Sequence, residues 1–397
     1  MNYEKRKIVI FDFNVTKNSP GGSCVLQMVT GLYKDYDITV ISEAFENPAP
    51  DKIGWIHVPL PGNPVFLRYI AFYLLAPIYY KRYYLATQEK PWLVISTQGE
   101  FINCDISYAH FGHRAYLNNQ WRFSAVKGLR RAVRWINHQF NAWTESQAFA
   151  NANTIVVPSK GLASELSQTY PEIKDKIVTL PNPVDVNKFA LPEGFDNRVI
   201  REQLGLSTDD LVMVFVALGD FERKGLNLLL EALTKLQNPN AKVLVVGGTE
   251  SVIEEYKQLQ NQLGLSNRVV FAGFQGDVRP YLWSSDVFVL ASSYEVFPLV
   301  ALQAPAAGLP VVATKVYGVE EFLQDGVNGW LVERDVTALT EVLEQALSDK
   351  NKLAEMGVVA QNLVSSYDAT SFVNRWRLLL ESLAPTKTEA SSKLLLP

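Results

Sequence analysis

Val287-Phe-Val-Leu-Ala-Ser-Ser-Tyr-Glu-Val-Phe-Pro-Leu-Val-Ala-Leu-Gln-Ala-Pro-Ala-Ala-Gly-Leu-Pro-Val-Val-Ala-Thr314 decides the fold. It reads as a buried strand (Val287–Leu290), a loop carrying the acid Glu295, a helix of small residues, and a second strand (Val311–Ala313). Short apolar runs without polar alternation belong to parallel strands covered by helices on both faces. A carboxylate in such a loop can accept hydrogen bonds from sugar hydroxyls. The backbone N–H groups of Leu299 and Val300, at the start of the helix, offer a positive end to a phosphate. Gln303, eight residues after Glu295, is expected about two turns on, on roughly the same face. A capped helix with an incidental acid fits the same letters.

Working outward, the pattern repeats. Strands are expected at Ile8–Phe11, Ile38–Ile41, Ile56–Val58, Leu93–Ser96, Ile106–Ala109, Ile155–Pro158 and Ile177–Leu180. A second series runs Leu211–Leu218, Val243–Gly247, Val269–Ala272, Val287–Leu290, Val311–Ala313 and Leu331–Val332. Strands alternating with helical stretches make an α/β protein. Pro181-Asn182-Pro183 is a stiff, non-helical connection between the two series. The expected division is residues 1–184, then 185–370, with a helix at 371–383 returning to the first part and a disordered tail at 384–397.

Composition narrows the function. Of 397 residues, 48% are apolar and 20% charged, enough to bury a core and inconsistent with wholesale disorder. The formal net charge of −4 argues against a nucleic-acid binder. Two cysteines suit a reducing compartment and exclude a disulfide scaffold. Met1–Lys7 is charged and lacks a signal-peptide core. Tyr69–Tyr80 is strongly apolar, but these 12 residues fall short of the roughly 20 that span a bilayer. Pro77 is expected to interrupt it, leaving a buried or interfacial helix.

Two further motifs carry chemistry. Ser19-Pro-Gly-Gly-Ser23 opens an apolar helical stretch, and Gly21 and Gly22 allow close approach of a ligand. It is neither GxGxxG nor a P-loop, which disfavours a Rossmann oxidoreductase. Gly219-Asp-Phe-Glu-Arg-Lys-Gly225 follows the strand at 211–218, and Arg223 and Lys224 at a strand's C-terminal edge suit a diphosphate. A plain turn and a solvated charged turn are the alternatives. Asp35-Tyr36-Asp37 reads as a solvated turn. His110 and His113 are spaced like metal ligands but lack nearby partners. Ile106–Thr144 contains no acid, yet holds Arg114, Arg122, Lys127, Arg130, Arg131 and Arg134 with Trp121, Trp135 and Trp143. Such a segment can lie on an anionic membrane, grip an acidic acceptor, or form a solvated helix face.

Taken in order, the Gly-rich turn, Ser159 after Val156-Val157-Pro158, Asn182-Pro183-Val184-Asp185, Arg223-Lys224-Gly225, and Glu295 through Gly308-Leu-Pro-Val-Val312 resemble the retaining GT-B glycosyltransferases of family 4. The spelling at 219–225 is similar to that of lipopolysaccharide core glucosyltransferases. The resemblance implies a GT-B fold: two Rossmann-like domains with an interdomain cleft, the acceptor on the N-terminal domain and the nucleotide sugar on the C-terminal one. It implies hexosyl transfer with retention, glucose from UDP-glucose, to a saccharide or lipid-linked acceptor in polysaccharide biosynthesis. No cofactor and no metal are expected. His110, Arg223, Lys224 and Glu295 take the catalytic roles. Gly21, Gly22, Phe274, Phe297, Leu299, Val300 and Gln303 take the donor-binding ones. Gln303 departs from the family's second Glu, so a charge-assisted bond to ribose becomes neutral. An inverting GT-B transferase, with His110 as base, and a nucleotide-sugar binder with impaired catalysis remain alternatives. The expected location is the cytoplasm, peripheral at the inner membrane face through the basic region 114–134.

Overall fold

The computed structural model describes residues 5–62, 65–123 and 128–384. Lys127 of the basic stretch and the tail from 385 on lie outside them. The strands are β1 (Lys7–Phe11), β2 (Asn14–Val15), β3 (Asp37–Ser42), β4 (Ala44–Phe45), β5 (Gly54–His57), β6 (Leu93–Thr97), β7 (Ile106–Tyr108), β8 (Thr154–Val157), β9 (Ile177–Thr179), β10 (Leu211–Val216), β11 (Ala241–Val246), β12 (Val269–Gly273), β13 (Val287–Leu290), β14 (Val311–Thr314) and β15 (Gly329–Val332). Three helices matter below: α1 (Pro20–Leu32), α2 (Val65–Thr87) and, after a short α3 (His113–Asn119), α4 (Gly128–Asn151). A fifth, α5, spans Lys160–Thr169.

One sheet has the order β5-β3-β1-β6-β7-β8-β9, the other β12-β11-β10-β13-β14-β15, and β2 pairs with β4 apart. Every pairing with a stated register is parallel, as the unbroken apolar runs require. In β10, Met213 and Phe215 enter one core while Val212 and Val214 enter the core on the opposite face. Both faces are covered, so no polar alternation exists to read.

By compactness the chain forms two units. One gathers the described parts of Met1–Ala109, Thr144–Val156 and Ala369–Pro397, the other His110–Trp143 and Val157–Asp368. In the first unit the helix Ala369–Ser382 packs on α1. Gly31 makes this possible, because a Cβ there would stand 2.1 Å from Val373. Trp376 is fully buried with its ring 5.1 Å from that of Tyr108.

Several local expectations change. Gly21 and Gly22 are not a loop before a helix but part of its first turn: Ser19 caps α1 and Pro20 takes the opening position. Proline suits that position because its missing N–H would have no helical partner. Pro77 sits inside α2 without ending it. Asp35-Tyr36-Asp37 is a turn into β3 with both carboxylates solvated, as expected, and it is also tied down, since Asp35 pairs with Arg377 at 2.7 Å and Asp37 lies beside Lys7 at 3.5 Å. The strand expected to reach Leu218 ends at Val216. Among the described residues no helix is long and apolar enough to cross a membrane.

The first sheet reverses its winding between β1 and β6, and two carboxyls lie just past those strand ends. Asp12 accepts from the Asn14 N–H (2.8 Å) and the Thr97 hydroxyl (2.9 Å). Glu100 accepts from the Phe13 N–H (2.7 Å) and lies 3.2 Å from the same hydroxyl. One hydroxyl proton cannot serve both acids, so a proton held by the pair completes the network. Burial pushes Asp12 up to about 6 against the hydrogen bonds that lower it, and pushes Glu100 well above the usual carboxylate range, with Asp12 adding to the effect.

Each acid thus binds a proton more tightly in the folded state than in the unfolded chain, so stability is lost as pH rises, from about 4 through about 6 for Asp12, with the raised Glu100 adding its own loss. Asp12→Asn removes the Asp12 share of that loss. Urea unfolding at pH 4.5 and 8 should show the variant gaining on wild type by the order of 2 kcal/mol at the higher pH. A difference independent of pH refutes the assignment.

Candidate active site

Strand order builds the site. In the second sheet β10 and β13 are neighbours from which the strands run outward in opposite directions, a topological switch point. The loops leaving their C-terminal ends, residues 217–225 and 291–299, therefore meet. They are stitched together at the backbone: Ser293 N–H donates to the Arg223 carbonyl at 2.8 Å. Gly225 (φ +85°) lets the chain turn into the helix Leu226–Lys235, and a Cβ there would lie 2.1 Å from the Ala291 carbonyl oxygen. Arg334 Nε donates to that same carbonyl at 3.2 Å. The Thr314 hydroxyl holds the Ser292 carbonyl at 2.6 Å.

Three of the four expected catalytic residues converge here. Lys224 Nζ reaches Glu295 Oε1 at 2.7 Å, Arg223 Nη1 reaches it at 3.2 Å, and the Ser292 hydroxyl at 2.9 Å. Arg223 also donates to the Tyr294 carbonyl and, through Nε, to Asp220 at 3.1 Å. Asp220 itself adopts a left-handed backbone (φ +59°). All three contacts on Glu295 fall on Oε1, and among the described residues none is made to Oε2. Burial would raise the Glu295 carboxyl, but Lys224 and Arg223, with the Lys224 and Ser292 hydrogen bonds, outweigh it and hold it below the usual carboxylate range. Burial likewise opposes the charge on Arg223, and Glu295 and Asp220 outweigh it. Two cations and two carboxylates make a neutral cluster, pre-ordered and partly covered.

The other expected residues are placed as follows. His110 follows β7, and burial lowers its imidazole to about 4, so it is neutral at neutral pH. Phe297 is buried, and the Cβ that Gly318 lacks would lie 2.7 Å from the Phe297 Cα. Leu299 caps the helix Val300–Ala306 and Val300 opens it. Gln303 is half-buried on that helix, whereas Glu295 lies in the loop five residues ahead of it. The expected shared helical face therefore does not exist, because Pro298 falls before the first helical turn. Phe274 is largely exposed just after β12. Gly21 and Gly22 belong to the first unit, where a Cβ on Gly22 would strike the Asn14 carbonyl oxygen at 1.8 Å. Gly22 is thus required for seating α1 on β2 whatever it binds.

The letters did not point to Glu165. It is buried on α5 and accepts from the Tyr294 hydroxyl at 2.9 Å. Tyr294 immediately precedes Glu295, so this bond anchors the loop. Gly161 on the same helix faces the Tyr317 ring, which leaves no room for a Cβ. Around Tyr294 stand Phe111 and Tyr116, with ring centroids 5.8 and 5.5 Å away. His113 and His138 meet at Nδ1, 3.0 Å apart, and burial lowers them to about 3 and about 4. Among the described residues no group of three or more His, Cys, Asp or Glu is placed to hold a metal ion.

Comparison with known proteins places the chain in a family. The family models for glycosyl transferases group 1 and glycosyltransferase family 4 match residues 196–363 and 21–188. The lipopolysaccharide core biosynthesis glycosyltransferase LpsE of Rhizobium meliloti is 32% identical over 244 residues, covering 60% of this chain and 67% of LpsE. The chain belongs to the group 1 glycosyltransferases. A D-inositol 3-phosphate glycosyltransferase of Xylanimonas cellulosilytica is 31% identical over 226 residues, 55% of this chain and 54% of that protein. The chain spans about half the length of several curated relatives, 51% for one from Methanocaldococcus jannaschii. Among solved structures, WaaG, a glycosyltransferase involved in lipopolysaccharide biosynthesis, matches with a TM-score of 0.72 at 17% identity, covering 93% of this chain and 98% of that one. Anabaena HepE in complex with UDP matches at 0.73 and 21%, covering 95% and 100%. These likenesses show the GT-B fold.

Tyr294→Phe leaves Glu165 buried with one donor fewer. Urea unfolding should show a loss of about 1–3 kcal/mol. The loss should be larger at pH 8 than at pH 5, because the hydroxyl favours the ionised carboxyl. An equal loss at both values refutes the charge-dependent anchor.

Proposed function

We propose that this glycosyltransferase transfers a hexose, glucose from UDP-glucose, to a saccharide or lipid-linked saccharide acceptor with retention of configuration, in polysaccharide biosynthesis. The observation that carries the reading is Glu295: Oε1 is taken by Lys224, Arg223 and Ser292, leaving Oε2 for a donor-sugar hydroxyl. The same two cations stand where a diphosphate needs them. Asp220 is the more exposed partner of Arg223, so a diphosphate displaces it at little cost and leaves the buried Lys224–Glu295 pair intact. As charge grows on the departing UDP, Arg223 and Lys224 stabilise it without a metal ion. One such contact at 4 Å and an effective dielectric of 20 is worth about 4 kcal/mol before desolvation.

Anabaena HepE, solved also with UDP-glucose, supports that donor, and LpsE supports a lipopolysaccharide-type acceptor. Phe274, Phe297, Leu299, Val300 and Gln303 are assigned to the nucleotide from the family pattern, as Gly21 and Gly22 are to the diphosphate. The domain reading, acceptor on 1–184 and donor on 185–370, belongs to the same proposal, as does a cytoplasmic location at the inner membrane face. His110, lowered to about 4, is a poor proton acceptor at neutral pH, which favours retention assisted by the leaving phosphate over an inverting reaction with His110 as base.

Nucleotide release from UDP-, GDP- and ADP-sugars, with and without EDTA, tests this. UDP-glucose is expected to turn over equally with EDTA, and Lys224→Ala to lower kcat/KM by roughly 100- to 1000-fold. An EDTA-sensitive reaction overturns the metal-independent assignment. Tight UDP binding without release identifies a binder with impaired catalysis, and NMR of the product anomer decides between retention and inversion.

A further inference from the structure

Helix α4 is amphipathic the wrong way round. At about 100° per residue, Leu129, Val133, Ile136, Phe140 and Trp143 fall within an arc of about 80°. A surface helix normally turns such a stripe to the core. Here the buried positions are Ala142, Thr144, Glu145, Ala148 and Phe149, all but Thr144 on the opposite side, and the His138 ring stacks on Tyr116 at 4.8 Å from that same side. The apolar stripe points the opposite way: Leu129 is 81% exposed, Val133 43%, Ile136 48% and Trp143 49%, with Phe140 half-buried beside Trp143. Arg130 and Arg134 flank it on one side and Trp135, also exposed, on the other. Just ahead of the helix, Phe123 is exposed with the Arg122 guanidinium over its ring.

A contiguous exposed apolar stripe rimmed by cations needs a partner that is apolar within and anionic at its rim. The charges select among candidates. Ile106–Thr144 contains no Asp or Glu, and the one acid of α4, Glu145, is buried. A second copy of this chain laid against the stripe brings the same arginines and no carboxylate from this helix to meet them. An anionic bilayer brings both complements: acyl chains for the stripe, phosphate headgroups for Arg130 and Arg134, and an interfacial depth that suits Trp135 and Trp143.

We infer that α4 is a membrane-docking helix that lies in the plane of an anionic bilayer with Leu129, Val133, Ile136, Phe140 and Trp143 inserted. This deepens the proposed action on lipid-linked acceptors by naming the surface that meets the lipid, and it stands on geometry independent of the donor site.

The test uses the full chain with no donor or acceptor present, so it is separable from the transfer reaction. Flotation with phosphatidylcholine vesicles containing 30% phosphatidylglycerol should carry most of the protein, and pure phosphatidylcholine at least 10-fold less. Ile136→Glu and, at the most exposed position, Leu129→Glu should each cut bound protein at least 10-fold. Arg130→Glu/Arg134→Glu should abolish the preference for anionic lipid. Melting temperatures of the exposed-site variants should stay near wild type, as should nucleotide release in vesicle-free buffer. Brominated acyl chains should quench tryptophan fluorescence in wild type and much less in Trp143→Phe. No vesicle binding, binding that Leu129→Glu leaves unchanged, or a solution dimer that Ile136→Glu dissociates would each overturn the proposal. The last would make the stripe a contact between copies.

Discussion

Everything in the second unit depends on keeping one carboxylate charged inside the protein. Glu295 is buried, and a buried carboxylate without partners would take up a proton or destabilise the fold. Lys224 and Arg223 prevent this, and both come from a loop more than 70 residues away in sequence. They can do so only because β10 and β13 are neighbours in the sheet. The glycine at 225, the Ser293–Arg223 backbone bond and the Arg334 and Thr314 braces all act to bring the two loops within ion-pair distance. The result is an ordered cluster of two cations and two carboxylates whose charges cancel.

The first sheet repeats the topology with different chemistry. Its switch point, between β1 and β6, also collects acids, Asp12 and Glu100, but among the described residues no cation offsets them. The outcome is inverted: the lysine and arginine pull Glu295 below the ordinary carboxylate range, while burial without a cation lifts Asp12 and Glu100 above it. Parallel sheets create crevices at their switch points irrespective of sequence. The charge of the residues placed there decides whether the crevice holds a carboxylate or a protonated pair.

Family membership and fold agree with this picture. The group 1 glycosyltransferases share a GT-B frame, and the frame explains why so distant a structure as WaaG, at 17% identity, still superposes on nearly the whole chain. Packing requires apolar residues of about the right size, so the cores tolerate wide substitution. The ion cluster and the tight glycine contacts tolerate much less. Gly22, Gly31, Gly161, Gly225 and Gly318 each face an atom where a Cβ would stand.

Most of the strands could be read from the amino-acid sequence, because a strand buried on both faces is a short apolar run and needs no partner to identify it. The α/β class and the motif order followed from those runs, as did the candidates Arg223, Lys224 and Glu295, whose residue types and positions after strands announce charge at a sheet edge. Helix starts were less legible: Gly21 and Gly22 look like a loop until Ser19 is seen capping them. Helical spacing could not place Gln303, because it was counted from Glu295, a residue that lies outside the helix. Nothing local marks Glu165, Asp12 or Glu100, since each is met by a residue distant in the chain, Tyr294 for Glu165, Thr97 for Asp12 and Phe13 for Glu100. The outward turn of α4 was equally hidden, because periodicity gives the stripe but not the side of the helix that the core takes. Sequence by itself therefore determined the elements, their α/β class and the inventory of chemical groups, all of which follow from local pattern. Only the tertiary structure decided which groups meet, which oxygen of Glu295 is engaged, and which acids keep a proton, because desolvation and ion pairing depend on distances between segments that the sheet order alone brings together.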